Sequence, residues 1–534
     1  MSRFGKLGGD ALDVVVGGGR LLGAVAAPPR AGVGGLVRMG RALRDNGTTM
    51  AGVCAIAAAR TPNAVALIDD NGAVTAAQLQ RRISAFTGLL HAEGVAAGDA
   101  VGVMCRNGRR FVHAVMAVSR LGADLVLLNN EFAADSLGAT AAHEGLVTLI
   151  HDDEFADRVA SSGFAGRTVS SERSLTADGD DRAVPRVRRP GAIVVLTSGT
   201  TGAAKGARQR ETSPAQVVPI TSLVRAMRLR AGEPMLVLPP MFHGYGLGFM
   251  LLGLGTGAQV VTSRRYDAAR AAQLAREHEV STIVAVPPML PQLVDALDGD
   301  TAGGQRPLPA LRCVISGAGL LHPTVSEQVR LRLGDVLFNF YGSSEEGWST
   351  LATPDDLRRA PGTIGRAVAG VEVAILGADG MPVPDGEVGH LCVRSNLSFS
   401  GYTGGGARAR RGGMLDSGDL AHRDADGLLF VDGRADGMVV TGGENVMLSE
   451  VEDALLAHPD VIDARVDGVP DEAYGTRLDA SVVLSDEGRG RADAAALQRH
   501  VEDRLARFKI PRRVHFVDEL AVTATGKHVR PKPT

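Results

Sequence analysis

IVVLTSGTTGAAKGA, residues Ile193–Ala207, joins an apolar run rich in β-branched side chains to a turn in which Ser198, Thr200 and Thr201 alternate with Gly199 and Gly202 ahead of Lys205. The apolar run has the length of one strand and no polar alternation, the pattern of a strand buried on both faces of a parallel sheet. In the turn, glycines free backbone N–H groups to curl around an anion, hydroxyls add short donors, and the lysine supplies a counter-charge. A Walker loop is excluded, because it needs Gly directly before the lysine and a hydroxyl directly after it, whereas Ala204 and Gly206 flank Lys205. Gly17–Gly19 likewise fails the dinucleotide fingerprint, with Leu22 where the third glycine belongs. Taken alone, the turn reads equally well as a solvated Gly/Thr loop.

The same rhythm extends outward from Pro62. AAQLQRRISAFTGLL sets Leu79, Ile83, Phe86 and Leu90 on one helical face. VGVMC (Val101–Cys105) then reads as a strand, followed by a helix from about Arg109 and a strand at Leu125–Leu128. MLVLPP, STIVAVPP, RCVISG and VLFNFYG repeat the strand pattern, each closing on Gly, Pro, Ser or Thr. Strand and helix periods in alternation predict an α/β architecture, with ligands at the C-terminal ends of the strands. After Gly433 a shorter α+β block begins: a helix LSEVEDALLAH, strands around VIDARVDGV and LDASVVL, a helix ADAAALQRHVEDRLARF, and a strand RRVHFV. The expected organisation is an extension over 1–47, a large domain of layered α/β sheets over 48–435, and a small mobile α+β domain over 436–534.

With 534 residues and 45% hydrophobic content, the chain can build its core without disulfide or metal staples. A net charge of −3 removes the electrostatic case for nucleic acid. Cys54, Cys105, Cys313 and Cys392 are far apart, with no CxxC, so neither a zinc site nor a redox pair is expected and a reducing, cytoplasmic setting follows. The N-terminus has early positive charge, an apolar stretch and Ala24-Val25-Ala26, but Asp10, Asp13 and Arg20 interrupt it, against an export signal. The glycine density of this extension argues against a stable amphipathic helix and for a flexible or surface-lying segment able to touch a membrane weakly.

Further stretches repeat the combination of a strand end with chemically able side chains: PPMFHGYGL, VPPML, SGAGL, NFYGSSE, DSGDL, GRADGMVVTGGENV and TATGK. Together with TSGTTGAAKG, and in this order, they resemble the signatures of the adenylate-forming superfamily of acyl-CoA synthetases, luciferases and peptide-synthetase adenylation domains. The resemblance is greatest to its bacterial fatty-acyl-CoA ligases and runs from about residue 50 to the C-terminus.

The resemblance implies a role for each. Thr197, Ser198, Gly199, Thr200, Thr201, Gly202 and Lys205 would hold the ATP phosphates. Gly317, Ala318 and Gly319 would frame adenine, with Tyr341 stacking on it and Gly342, Ser343 and Ser344 completing the wall. Family members usually carry Thr where this chain has Ser344, which keeps the hydroxyl. Glu345 would bind the Mg2+ that bridges the phosphates. Asp419 would accept the ribose hydroxyls, as an acceptor-only carboxylate can. Arg434 would serve ribose and phosphate, and Asp436 would be the hinge about which the small domain rotates between an adenylating and a thioester-forming pose. Lys527 would stand between two anions, the carboxylate and the α-phosphate of ATP. Thr441 to Asn445, with Gly442, Gly443 and Glu444, would line the CoA tunnel, where the glycines leave room for a thin thiol arm. His243 would gate the meeting of acyl and CoA channels, or simply wall the tunnel. Trp348, the sole tryptophan, would line the acyl pocket or pack in the core.

The expected activity is thus an AMP-forming, ATP-dependent ligation of a medium- or long-chain fatty acid to CoA through an acyl-adenylate. The rivals are an aryl–CoA ligase, a fatty-acyl-AMP ligase serving a carrier protein, and a luciferase-like oxygenase. The second of these typically carries a large-domain insertion that is not evident here. A non-catalytic member should have lost at least one of Lys527, Glu345, Asp419 or the phosphate loop.

Overall fold

The computed structural model describes residues 32–187, 189–197, 205–209, 216–298, 306–435, 438–471, 475–485 and 488–520. Among these, a nine-stranded sheet runs in the order Arg366–Ala367, Gly347–Ala352, Leu337–Ser343, Cys313–Gly317, Thr282–Ala285, Pro234–Val237, Gln259–Val261, Val65–Asp69, Gly72–Thr75. From Leu337–Ser343 to Val65–Asp69 every pairing is parallel. A seven-stranded sheet has the order Gly401–Tyr402, Lys205–Arg208, Ile193–Thr197, Asp124–Leu127, Ala100–Met104, Thr148–His151, Arg167–Ser170. Only its first two strands join antiparallel. The apolar runs anticipated from sequence are these strands, and they are buried as a parallel sheet requires.

The two sheets share one core. Val103, Leu127 and Val195 of the seven-stranded sheet belong to the same buried cluster as Val237, Ile315 and Phe340 of the other. Helices Arg109–Leu121 and Gly244–Thr256 contribute to that cluster from both sides. Gly244–Thr256 carries no charged residue, as a helix surrounded by protein should. The helix Ala76–Ala92 starts at a capping box, in which Thr75 Oγ1 accepts from the Gln78 N–H at 3.2 Å and Gln78 Oε1 accepts from the Thr75 N–H at 2.8 Å. Its Leu79, Ile83, Phe86 and Leu90 are all buried.

Two features depart from the sequence reading. Residues Gly32–Asn46 form an α-helix despite their glycines. It packs against the helix Met50–Arg60, and tertiary contact of this kind outweighs intrinsic propensity. An antiparallel sheet not anticipated at all joins Val371–Leu376, Gly389–Ser395, Met414–Arg423 and Arg410–Arg411, with Leu429–Arg434 alongside Met414–Arg423.

The C-terminal part contains a two-stranded hairpin, Met438–Thr441 with Glu444–Met447, and a three-stranded sheet of Val461–Asp471, Gly475–Leu484 and Arg513–Phe516. Helices Leu448–Leu456 and Ala494–Glu502 supply Val451, Leu455, Leu497 and Val501 to a core of its own. The four cysteines are unpaired and buried, and burial pushes the Cys54 thiol up to about 12, an unreactive state. No helix among the described residues is long and apolar enough to cross a membrane.

Candidate active site

The first strand quoted above ends by pairing with its own continuation: Thr197 lies opposite Lys205, closing the chain on either side of the glycine-rich turn. Lys205 Nζ sits 5.9 Å from the centroid of the Tyr402 ring, within cation–π range. The Tyr402 hydroxyl in turn donates to Glu345 Oε1 at 3.0 Å. Tyr402 reaches this position because Gly401–Tyr402 adds a short strand to the outer edge of Lys205–Arg208. One aromatic side chain therefore joins the lysine of the phosphate turn to the carboxylate expected to hold metal, a link the sequence reading missed.

Glu345 is placed by a hydroxyl turn. Ser343 Oγ accepts from the backbone N–H of Glu345 at 3.3 Å and of Glu346 at 3.1 Å. Gln209 Nε2 donates to the Ser344 carbonyl at 2.8 Å, and the Phe399 N–H donates to the Glu345 carbonyl at 2.9 Å. Glu346, also missed, is fully buried, and its Oε1 has no hydrogen-bond partner among the described residues. Burial, with the charges of Asp419 and Glu345 nearby, pushes its carboxyl up to about 8. The doublet Glu345-Glu346 was the available signal.

On the nucleoside side, the Tyr341 hydroxyl donates to Asp419 Oδ2 at 2.5 Å. Tyr341 continues a strand of the nine-stranded sheet, whereas Asp419 belongs to the antiparallel sheet, where it lies directly opposite Arg434. The Asp419 N–H is held by Ser417 Oγ at 2.9 Å. Gly317 ends the adjacent strand, and a Cβ there would stand 2.8 Å from the Tyr245 ring and 2.9 Å from the Phe340 carbonyl. Ala318 follows with φ +59°, a left-handed conformation unusual for alanine. The residues anticipated for adenine thus lie towards the ends of two adjacent strands, and Asp419 meets Tyr341 from the middle of a strand of the other sheet.

The hairpin of the C-terminal part approaches from the other side. Gly442 and Gly443 have φ +59° and +87°, the signature of a two-residue turn with both central residues left-handed. The turn carries Glu444 to His243, whose Nε2 lies 2.7 Å from Glu444 Oε1. Asn129 Nδ2 donates to the same oxygen at 3.5 Å. A second contact across the two parts joins Ser136 Oγ to the Arg504 carbonyl at 3.1 Å. His243 itself stands at the residue before the helix Gly244–Thr256, with its side chain making no capping hydrogen bond.

Trp348 is half-buried, stacked on Phe249 with centroids 5.7 Å apart and edge-on to Phe340 at 5.6 Å. Ser198–Gly202, Asp436 and Lys527 lie outside the described residues, as does the side chain of Arg434.

A model of the AMP-binding enzyme family matches residues 54–403, and one of the AMP-binding enzyme C-terminal domain matches residues 450–527. The sulfoacetate–CoA ligase of Cupriavidus necator is 30% identical, over 91% of this chain and 97% of that protein. A medium/long-chain-fatty-acid–CoA ligase of Mycobacterium tuberculosis is 30% identical, over 97% of this chain and 96% of that protein. Among solved structures, a double mutant of o-succinylbenzoate CoA synthetase from Bacillus subtilis, bound with its CoA product analogue, gives a TM-score of 0.79 at 26% identity, over 90% of this chain and 97% of that one. The same synthetase in complex with its acyl-adenylate gives 0.66, over 89% and 96%. With matching domains in the same order and relatives that align along nearly their whole length, the chain belongs to the AMP-binding enzyme family, among its acid–thiol ligases.

Proposed function

We propose that this protein is an ATP-dependent fatty acid–CoA ligase. A fatty acid carboxylate oxygen attacks the α-phosphorus of ATP, pyrophosphate leaves, and the acyl-adenylate stays bound. The CoA sulfur then attacks the acyl carbon of that mixed anhydride, AMP leaves with the bonding electrons, and the thiol proton passes to solvent. Thr197 and Lys205 face the phosphates, Tyr341 the adenine, and Asp419 the ribose, while Lys527 offsets the repulsion between the two reacting anions.

Magnesium fits this site. Glu345 commits one oxygen to Tyr402, and among the described residues no cluster of three or more His, Cys, Asp or Glu could cage a metal. A single carboxylate with the remaining ligands from substrate phosphates and water is how proteins commonly hold Mg2+. Glu345 would hold it, and the ion would neutralise phosphate charge.

The observation that carries the reading is the Glu444 hairpin seated on His243 beside the nucleotide residues. A hairpin there would line the path of a thiol arm, which needs the narrow backbone that Gly442 and Gly443 provide. The greater likeness to a CoA-product-analogue complex than to an acyl-adenylate complex of one synthetase supports a thioester-forming pose. Fatty acids with MgATP and CoA should yield pyrophosphate and thioester in equal amounts. Pyrophosphate without thioester would instead identify a carrier protein as acceptor.

The reading extends to location. The helix Gly32–Asn46 exposes Val37 and Leu43 among Arg38, Arg41 and Arg44, a basic and apolar face suited to anionic lipid at the cytoplasmic leaflet. Co-sedimentation with phosphatidylserine vesicles, lost when residues 1–47 are deleted, is expected.

A further inference from the structure

Resting on the ligase reading above, we infer that Arg408 is a positioning residue that joins the two arms of the nucleotide site and sets its preference for ribose over deoxyribose. Asp419, the carboxylate that would receive the ribose hydroxyls, does not sit on a regular stretch of strand. Along Met414–Arg423 the register against Gly389–Ser395 breaks: Asp416 stands opposite Cys392 and Leu420 opposite His390, so Ser417, Gly418 and Asp419 face Leu391 alone. Gly418 takes φ +77° within this bulge, a conformation that glycine reaches without strain. A bulge bends the strand and re-aims a side chain, here that of Asp419, and because the ladder is disrupted there the aim has to be fixed by other contacts.

Arg408, half-buried, supplies such contacts. Its Nε donates to the Asp416 carbonyl at 3.0 Å and its Nη2 to the Ser417 carbonyl. The side chains of those same two residues hold the amides that follow: Asp416 Oδ1 accepts from the Gly418 N–H at 2.9 Å and Ser417 Oγ from the Asp419 N–H at 2.9 Å. The Asp416 carboxylate has a counter-charge in Arg411 at 2.7 Å, so neutralising it does not require Arg408. Arg408 also reaches the Tyr402 hydroxyl, by a hydrogen bond as well as by its charge. That hydroxyl donates to Glu345 Oε1, so its oxygen receives on one side and gives on the other, an arrangement in which each bond strengthens the next. Asp416 and Ser417 belong to the antiparallel sheet, whereas Tyr402 edges the seven-stranded one. A planar guanidinium with several fixed donors can serve both at once, which an ammonium on a flexible stem cannot.

Full-length wild type, Arg408→Gln and Arg408→Lys would be compared by calorimetric binding of MgATP, its 2′-deoxy form and MgGTP, and by Mg2+ titration of pyrophosphate release with a fatty acid. Wild type should prefer ATP to 2′-deoxy-ATP by about tenfold or more, the scale of one hydrogen bond to a charged acceptor. Arg408→Gln should reduce that preference to about threefold or less and raise the Mg2+ requirement about tenfold. The preference for ATP over GTP should be kept, because Arg408 does not touch the strand ends that would frame the base. A merely structural role would weaken all three nucleotides alike. Arg408→Lys, which keeps the charge and loses the fork, should show the same losses by a smaller step, and it serves where Arg408→Gln fails to fold. Adding Arg408→Gln to Tyr402→Phe should raise the Mg2+ requirement no further than Tyr402→Phe alone, since both act through one hydroxyl. An unchanged ratio of ATP to 2′-deoxy-ATP in both Arg408 variants, a loss shared equally by the three nucleotides, or multiplying Mg2+ effects in the double variant would each overturn the proposal. A wild type that binds no nucleotide would bring down the ligase reading and the proposal together. The expected nucleotide ratios from a protein that turns over no fatty acid would strike the substrate alone and support the assignment of Arg408.

Discussion

Glu444 and His243 stand 201 residues apart in sequence and 2.7 Å apart in space, so the hairpin of the C-terminal part is fixed to the end of a core helix by one charged contact. A hydrogen bond to a charged group contributes about 1.5–3 kcal/mol. Glu444→Ala should therefore slow thioester formation from supplied acyl-adenylate by roughly tenfold to a hundredfold, while pyrophosphate release changes little. Gly443→Trp, which would put an indole in the proposed thiol path, should give the same split more severely. Equal losses in both half-reactions would remove the hairpin from thiol transfer.

Tyr402→Phe deletes the hydroxyl that Glu345 accepts and keeps the ring beneath Lys205. Glu345 then loses an orienting donor at the point where metal should bind. The Mg2+ concentration giving half-maximal pyrophosphate release should rise about tenfold, near the value of one such bond, with the KM for the acid unaffected. An unchanged magnesium titration would mean that Glu345 is positioned by its backbone alone.

Lys527→Ala should lower adenylation by about 3–4 kcal/mol of barrier, the scale for losing one preorganised electrostatic contact. Thioester formation from supplied acyl-adenylate should persist. Measuring the two half-reactions separately decides it, since failure of both would show a structural lysine.

His113 supplies a pH dependence remote from the chemistry. It is buried, shares a 3.0 Å hydrogen bond with Ser174 Oγ, and is held down to about 3 by burial and then by the Arg109 charge. Between its unfolded value near 6.5 and about 3, the unfolded chain binds a proton here that the folded chain refuses. Stability is thus fully supported above about 6.5 and falls with acidification by about 1.4 kcal/mol per pH unit from this group. Urea unfolding at pH 7, 5.5 and 4.5 should show a shallower acid loss for His113→Gln than for the wild type. Parallel curves would exclude the effect.

The parallel strands were legible because a strand buried on both faces has an unbroken apolar run, as Ile193–Thr197 and Thr282–Ala285 do. Ala76–Ala92 was legible because its four core positions keep helical spacing. The antiparallel sheet was not, since Met414–Arg423 and Gly389–Ser395 intersperse charged and polar residues among their apolar ones, and strands of such mixed composition resemble loops one at a time. The helix Gly32–Asn46 was misread because its support comes from a neighbouring helix, which propensity cannot see. Within the site, contiguous signatures offered candidates one stretch at a time, and the structure sets Tyr341 against Asp419 and His243 against Glu444. Tyr402 was missed because its partner Glu345 is 57 residues distant, and a lone tyrosine after a glycine announces nothing.

The bond from Tyr341 to Asp419 has a thermodynamic consequence. It spans two sheets, so the aromatic ring and the carboxylate are locked in mutual register. An ionised carboxylate can accept about four hydrogen bonds, so the bond from Tyr341 takes up one part of the acceptor capacity that Asp419 would offer the ribose hydroxyls under the proposed function. Nucleotide binding at the proposed site would then immobilise neither side chain anew, and preorganisation of this kind spares the affinity a loss of about 0.5–1.5 kcal/mol for each side chain that would otherwise have to be ordered.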